Sequence, residues 1–192
     1  MKEKIIKKEN FVTTKWAGGE TTQLAIYPYD SVFSNKDFLW RISSATFTST
    51  ESTFSDFTGY QRYILPLNGE LSLKHSRLYD RSLRKYDVEY FDGSWNTFSK
   101  NTLDCRDYNF IVKSGFLSKM QILNEKEEYL LKKSEVVTFF SVNEFTLELP
   151  EHGGKRKVDG FSLYIIETDN EDKVKILNAK LPVIITEFAT GK

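Results

Sequence analysis

Short runs of β-branched and aromatic residues, each ended by turn residues, follow one another along this chain. The run at residues 21–27 (TTQLAIY) alternates polar and apolar side chains and stops at Pro28, which cannot donate a hydrogen bond to a sheet ladder. Similar runs continue as far as residues 183–188 (VIITEF). No segment shows an apolar repeat of 3.6 residues over three turns, the period of a helix. The pattern therefore predicts an all-β fold, a sandwich or a closed barrel of the jelly-roll kind.

Two turn dipeptides indicate where hairpins are expected. Asn68-Gly69 and Asp92-Gly93 each lie between two apolar runs. Asn-Gly and Asp-Gly are typical of two-residue hairpin loops, because both central residues there take positive φ. We therefore predict that each dipeptide joins two neighbouring antiparallel strands.

The length of 192 residues favours one domain over two. Neither a low-complexity linker nor a shift in composition divides the chain. The most loop-like stretch, residues 151–160 (EHGGKRKVDG), has strand-like runs on both sides, so we interpret it as a long hairpin loop. A single domain over residues 1–192 is the resulting prediction.

Charge and cysteine content limit the partners and the compartment. Lys plus Arg and Asp plus Glu balance at 27 each, so the broad positive field of a nucleic-acid-binding protein is absent. No run approaches the roughly 20 apolar residues of a membrane span. The one cysteine, Cys105, cannot form an intramolecular disulfide, and we expect it to be a half-buried thiol. These features predict a cytoplasmic protein with neither a nucleic-acid nor a membrane partner.

Histidine usage argues against an imidazole-based metal site. The chain has two histidines, His75 and His152, which are far apart in sequence and form no H-x-H pair. Iron, zinc and copper sites commonly need several such ligands. His75 follows a strand and His152 lies in a polar stretch, so we expect both at the surface. The prediction is a protein with no metal and no cofactor.

A glycine-rich turn is the first candidate for a functional segment. In the stretch WAGGETT (residues 16–22), two adjacent glycines allow positive φ and a close approach of the backbone. One interpretation is a tight turn capped by Trp16. The other is a loop that presents backbone N–H groups and threonine hydroxyls to a ligand. The sequence leaves both open.

Two arginines on strand-like runs are the second candidate. In a strand, Arg41, Ser43 and Ala45 share one face. A charge among apolar residues must be solvated or paired, so Arg41 and Arg62 either face solvent, which is the default, or enter the interior beside an anion. The fork of an arginine side chain suits bidentate binding of a carboxylate.

A polar pair at the start of a later strand is the third candidate. Asp107 and Asn109 share one face of that strand and could partner Arg41 or Arg62. Alternatively, they are ordinary turn residues.

Taken in this order, these stretches resemble the HutD/Ves family. The stretches that carry the resemblance are WAGGETTQLA (16–25), WRISSA (40–45), FSDFTGYQR (54–62), LNGEL (67–71), FDG (91–93) and DYN (107–109). Many members carry Asn-Gly-Gly-Gly after the tryptophan, whereas this chain has AGGE at residues 17–20. The resemblance extends over roughly residues 10–188.

The resemblance implies a cupin-like (RmlC-like) double-stranded β-helix, with two cupin-like halves as an alternative to one undivided domain. It also implies an accessory or regulatory role in bacterial histidine utilisation, while other members are described only as stress-related. No catalytic residues are established for the family as a whole, so we assign none and expect a protein that is not an enzyme.

Carried over residue by residue, the resemblance gives six candidate ligand-binding positions. They are Thr21, Arg41, Ser55, Arg62, Asp107 and Asn109. Our leading hypothesis is a metal-free binding protein for a small anionic metabolite, in which the two arginines hold a carboxylate. The family association suggests an amino-acid derivative from histidine breakdown.

Two other hypotheses stay open. One is a metal-independent isomerase or lyase that uses Asp107 or a tyrosine as its acid and base. The other is a structural module with a filled interior that binds a protein partner. Folds of this class often pair through strand edges, so a homodimer is a further expectation.

Overall fold

Antiparallel strands make up nearly all of the regular structure of this protein. The computed structural model describes residues 1–151 and 153–189, and within them we find no α-helix, only the short 3₁₀ turns Lys8–Asn10 and Phe33–Asn35. The all-β prediction is confirmed. None of the helical segments in the described part of the chain is long and apolar enough to span a membrane.

The strands are numbered in chain order. They are β1 (Lys2–Ile6), β2 (Val12–Trp16), β3 (Gly19–Tyr27), β4 (Trp40–Phe47), β5 (Glu51–Thr53), β6 (Tyr60–Asn68), β7 (Leu71–His75), β8 (Tyr79–Leu83), β9 (Glu89–Asp92), β10 (Thr97–Asn101), β11 (Arg106–Lys113), β12 (Ser118–Leu123), β13 (Glu128–Leu131), β14 (Glu135–Ser141), β15 (Phe145–Leu149), β16 (Gly154–Val158), β17 (Ser162–Glu167), β18 (Asp172–Ala179) and β19 (Val183–Ala189).

The described residues form two compact units, each with its own pair of antiparallel sheets. Unit 1 contains residues 1–10 and the described residues from 116 onwards, and unit 2 contains residues 11–115. The single domain over residues 1–192 and the alternative of two cupin-like halves stay predictions.

Unit 1 has a five-stranded sheet in the order β1-β17-β14-β19-β12 and a four-stranded sheet in the order β13-β18-β15-β16. Its hydrophobic core takes side chains from both sheets, among them Phe139, Tyr164 and Ile185 of the first and Leu147 and Ile176 of the second. Buried and partly buried side chains alternate along β15, as expected for a strand with one face on this core.

Unit 2 has a six-stranded sheet in the order β2-β3-β4-β11-β6-β9 and a four-stranded sheet in the order β5-β10-β7-β8. One hydrophobic cluster joins Phe47, Ile64 and Phe91 of the larger sheet to Leu73 and Leu83 of the smaller one. Every residue of β4 except Thr46 is buried, as expected for a strand that has neighbours on both sides and is covered on both faces.

The two dipeptides that predicted hairpins instead lie where unit 2 passes from one sheet to the other. β6 and β9 belong to the six-stranded sheet, whereas β7 and β10, which follow them, belong to the four-stranded sheet. At Asn68-Gly69 the glycine has a φ of 65°, while the Asn68 side-chain amide donates a hydrogen bond of 2.9 Å to the backbone oxygen of Asp104. The hairpin prediction is therefore wrong, because distant contacts and not the local turn set the path of the chain.

The stretch interpreted as a long loop, residues 151–160, contains a strand. β16 pairs with β15 in antiparallel register, so the loop between them is short. His152 lies outside the described residues.

Gly19 provides a test of how tightly β3 and β4 pack in unit 2. Its φ is 155°, and a Cβ at this position would lie 2.0 Å from the backbone oxygen of Thr46. We expect Gly19→Ala to destabilise the protein by about 2–3 kcal/mol, because the backbone of the neighbouring strand would have to move.

Gly59→Ala is the matched control. Gly59 also has positive φ, 87°, but apart from Gly59 itself and its two chain neighbours, none of the described residues has an atom within 4 Å of its Cβ position. Only the backbone strain of roughly 1 kcal/mol should therefore appear. Urea unfolding of both variants measures the difference, and equal losses of stability would contradict the packing argument.

Candidate functional site

Three neighbouring strands of unit 2 place two arginines in one row across the six-stranded sheet. Arg41 on β4 and Arg62 on β6 both lie opposite Ile111 of β11, the strand between them. Residues in one cross-strand row point to the same face of a sheet. Each arginine is only 5% exposed. The default interpretation, in which both arginines face solvent, is therefore wrong.

The two arginines lie in the wall of a cavity of about 300 Å³ within unit 2. All six positions predicted from the sequence lie in this wall, namely Thr21, Arg41, Ser55, Arg62, Asp107 and Asn109. The structure thus brings together residues from a stretch of 89 positions, residues 21–109. Their role in binding a ligand stays a prediction.

Arg41 is held by neutral partners. Its Nε donates a hydrogen bond of 2.8 Å to Gln23 Oε1, and its Nη1 donates one of 3.0 Å to Ser43 Oγ. The Phe33 ring covers the guanidinium, with 4.0 Å between Cζ and the ring centroid. Burial lowers the pKa of Arg41 to about 10, a change that the charge of Asp107 partly opposes. At neutral pH this side chain is therefore still a cation.

Arg62 is more deeply enclosed and makes fewer hydrogen bonds. Its Nη2 donates to Asn109 Oδ1 at 3.3 Å, while its Nε is buried without a hydrogen-bond partner among the described residues. The ring centroids of Phe54 and Phe91 lie 4.5 and 5.2 Å from Cζ. Burial lowers the pKa of Arg62 to about 10; Asp107 opposes this change and the positive charge of Arg41 adds to it. The two guanidiniums are thus close enough to repel each other.

Asp107 is the one acidic residue in the wall of the cavity, as far as the described residues show. It is 3% exposed, and its Oδ1 accepts a 2.7 Å hydrogen bond from the backbone N–H of Ala45 on β4. Burial raises the pKa of Asp107 to about 6, although the Ala45 N–H and the charge of Arg62 lower it. With two cations and one anion, the wall has an excess of positive charge.

The glycine-rich turn contributes to the same wall. Trp16 and Gly19 pair directly at the ends of β2 and β3, and Trp16 Nε1 donates a 3.1 Å hydrogen bond to Thr21 Oγ1. This is the tight turn capped by Trp16 that one interpretation predicted. Because both Trp16 and Thr21 also line the cavity, the two interpretations are compatible.

The aromatic part of the wall was not predicted from the sequence. Phe33 lies in the 3₁₀ turn between β3 and β4, and Phe54 and Phe57 lie in the loop after β5. Phe54 and Phe57 both lie in the stretch FSDFTGYQR, which carries part of the family resemblance and could have indicated them. Phe33 lies in no recognisable motif, and only tertiary packing places it over Arg41.

The expectation that His75 lies at the surface is wrong. The side chain is on β7 of unit 2 and is 1% exposed, with its ring 4.8 Å from that of Phe91. Its Nδ1 lies 2.9 Å from Thr97 Oγ1 on the paired strand β10. Within residues 1–151 and 153–189, no group of three or more His, Cys, Asp and Glu side chains could hold a metal ion.

Cys105, expected to be half-buried, is a fully buried thiol just before β11. Burial, together with the negative charges of Asp107 and Asp104, raises its pKa to about 12. The thiolate that a nucleophilic cysteine needs is therefore disfavoured at neutral pH.

Comparisons with known proteins agree with the resemblance seen in the sequence. The family model described as HutD matches residues 8–181. No curated protein is similar enough in sequence to count as a relative.

Solved structures show the fold. The conserved protein of unknown function PA5104 from Pseudomonas aeruginosa PAO1 has a TM-score of 0.82 at 21% identity, covering 98% of this chain and 98% of that chain. HutD from Pseudomonas fluorescens SBW25 has a TM-score of 0.79 at 18% identity, covering 100% of both chains. An oxalate decarboxylase mutant from Bacillus subtilis has a TM-score of 0.60 at 5% identity, covering 96% of this chain and 76% of that one. The predicted cupin-like, jelly-roll class is confirmed at the level of the fold.

Replacement of Asp107 by asparagine should stabilise the protein at neutral pH. In the folded protein the pKa of Asp107 is about 6, above its ordinary value of 3.8. Between pH 3.8 and pH 6 the folded protein therefore binds more protons than the unfolded chain. The ionised carboxylate therefore lowers stability above pH 6, by roughly 1–3 kcal/mol. Asparagine keeps an acceptor for the Ala45 N–H without the charge.

Urea unfolding at pH 7.5 and pH 4 checks this sign. The gain from Asp107→Asn should be present at pH 7.5 and small at pH 4, where the wild-type carboxyl is protonated in the folded state. The exposed residue Asp30 offers a control, since Asp30→Asn should change neither value by more than about 0.5 kcal/mol. A loss of stability for Asp107→Asn at pH 7.5 would contradict the prediction, because it would show that the neighbouring groups stabilise the ionised carboxylate.

Proposed function

The chain belongs to the HutD family, and from that premise we propose that it binds a small carboxylate-bearing metabolite in the cavity of unit 2. One observation carries the proposal: two buried, mutually repelling guanidiniums face a cavity whose described wall has a single carboxylate. A buried cation is costly unless it is paired, so the site favours an anion.

Hydrogen-bond donors are available for such an anion. A guanidinium has five N–H donors. The hydrogen bonds described above for Arg41 use two of its nitrogen atoms, both toward neutral side chains, and the one described for Arg62 uses a single nitrogen. Donors therefore remain on both arginines, and their planar forks match the two oxygens of a carboxylate.

The rest of the wall suits the carbon part of a metabolite. Phe33, Phe54 and Phe57 supply apolar surface, while Thr21 and Asn109 supply polar groups that could orient the ligand. A cavity of about 300 Å³ is at the small end of the range for ligand sites. The combination favours a compact metabolite with one carboxylate head.

The family suggests a role for the protein. Through the family association we propose an accessory or regulatory role in histidine utilisation, with an amino-acid derivative from histidine breakdown as the ligand. A cytoplasmic location, the absence of nucleic-acid and membrane partners, and a homodimer stay predictions.

A second candidate function is a metal-independent isomerase or lyase. The observation that favours it is the position of Asp107, a buried carboxyl in the cavity wall whose pKa is raised to about 6. A pKa near the working pH is what a general acid or base needs. Turnover of a bound carboxylate that stops in Asp107→Asn would establish this function, and binding without turnover would favour the first.

Carboxylate binding can be tested by thermal unfolding with formate, acetate and succinate. At ten times its Kd a ligand stabilises the folded state by about 1.4 kcal/mol. For a chain of this length that raises Tm by about 3–6 °C. Arg41→Ala and Arg62→Ala should each remove this increment, because each removes one of the two cations of the site.

Arg84→Ala is the matched control, because Arg84 is an exposed arginine of the same unit. It should keep the full wild-type increment. Each increment is measured against the same variant without ligand, so that a lower starting Tm does not enter the comparison. If Arg41→Ala and Arg62→Ala still respond like the wild type, carboxylates bind elsewhere.

A further inference from the structure

We propose that the cavity of unit 2 takes up its carboxylate together with one proton, which Asp107 holds. This inference rests on the proposed function and adds its regulation: affinity should fall as the pH rises through the neutral range. The proton comes from solvent and converts the Asp107 carboxylate to a carboxylic acid.

Asp107 lies in the wall of the same cavity as Arg41 and Arg62. The Ala45 N–H donates a hydrogen bond to Oδ1 and so holds the Asp107 side chain in this wall. A carboxylate bound by the arginines would therefore share the site with the carboxylate of Asp107. The repulsion between two carboxylates in one site raises the pKa of one of them, so that it binds a proton more readily.

Asp107 is close to taking up a proton even before a ligand binds. Burial raises the pKa of Asp107 to about 6, and a second negative charge nearby can only raise it further. The protonated carboxyl gains an O–H, which can donate a hydrogen bond to the carboxylate of the ligand. The proton also preserves the charge balance, since the ligand then replaces Asp107 as the one anion opposite two arginines.

Other ionisable groups lie around Asp107 but do not account for a change near neutral pH. These groups are Arg41 on β4, Arg62 on β6, Arg106 on β11, Cys105 and Asp104 in the turn before β11, and His75 on β7, which interacts electrostatically with Arg62. The arginines stay charged, and the raised pKa of Cys105 keeps it a neutral thiol. Burial lowers the pKa of His75, which opposes the binding of a proton there.

Acetate is a suitable probe, because it stays ionised from pH 6.5 to 8.5 and any change in affinity then belongs to the protein. The indole N–H of Trp16, whose side chain lines the cavity, can be followed by ¹H–¹⁵N NMR as acetate is added at constant ionic strength. The Kd of the wild type should rise by up to about tenfold per pH unit, since one proton is bound with each acetate.

Three variants locate the proton. Asp107→Asn should bind acetate with a Kd that does not change between pH 6.5 and 8.5 and that is lower than the wild-type Kd at pH 8.5. Asp30→Asn and His75→Gln should both keep the wild-type pH dependence.

The outcomes separate this inference from the proposed function. A wild-type Kd that is constant over this pH range would overturn proton uptake and leave carboxylate binding intact. A pH dependence that persists in Asp107→Asn would also overturn it, because the proton would lie elsewhere. If acetate shifts no resonance at any pH, both the inference and the proposed function fail. The wild-type series decides the question even if Asp107→Asn does not fold.

Discussion

The arrangement of the site in unit 2 depends on the burial of two like-charged guanidiniums in one row of a sheet. Arg41 and Arg62 lie opposite the same residue, Ile111, on the strand between them, so their side chains leave the same face. Removing a cation from water is costly, and placing two together adds repulsion. The neighbouring groups offset only part of this cost: phenylalanine rings lie over both guanidiniums, and Asp107 supplies one negative charge. A bound carboxylate would place a negative charge directly against the guanidiniums and accept hydrogen bonds from their remaining N–H donors.

The central strand β11 organises this arrangement through the two-residue period of a strand. Asp107, Asn109 and Ile111 alternate along it with residues of the other face, so the acid, the amide and the apolar spacer all line the cavity. Asp107 accepts its hydrogen bond from β4, and Asn109 accepts one from Arg62 on β6. Hydrogen bonds to the two neighbouring strands thereby hold Asp107 and Asn109 in position. Such pre-organisation lowers the cost of binding.

Much of the fold and of the candidate site could be predicted from the sequence. The remaining features depend on tertiary contacts. Alternation along residues 21–27 predicts a strand, and the strand period groups Arg41 with Ser43 and Ala45 on one face, all three of which line the cavity. The residue pattern singled out the two arginines, Asp107, Asn109 and the threonines of the glycine-rich turn, whereas Ser55 came from the family resemblance alone. Burial of the arginines could not be predicted, because a cation on a strand is compatible with either face until its neighbours are known. The hairpins at Asn68-Gly69 and Asp92-Gly93 failed for a related reason, since local turn chemistry does not say which sheet the next strand joins.

The most direct test of this account observes the arginine side chains themselves. In protein labelled with ¹⁵N-arginine, the Nε–H signals of Arg41 and Arg62 can be followed while acetate is added at pH 6.5, with exposed Arg84 as an internal reference. We expect the signals of Arg41 and Arg62 to shift together with one Kd while the signal of Arg84 stays in place. Acetate binding that leaves the signals of Arg41 and Arg62 unchanged would contradict the claim that these two buried cations hold the ligand.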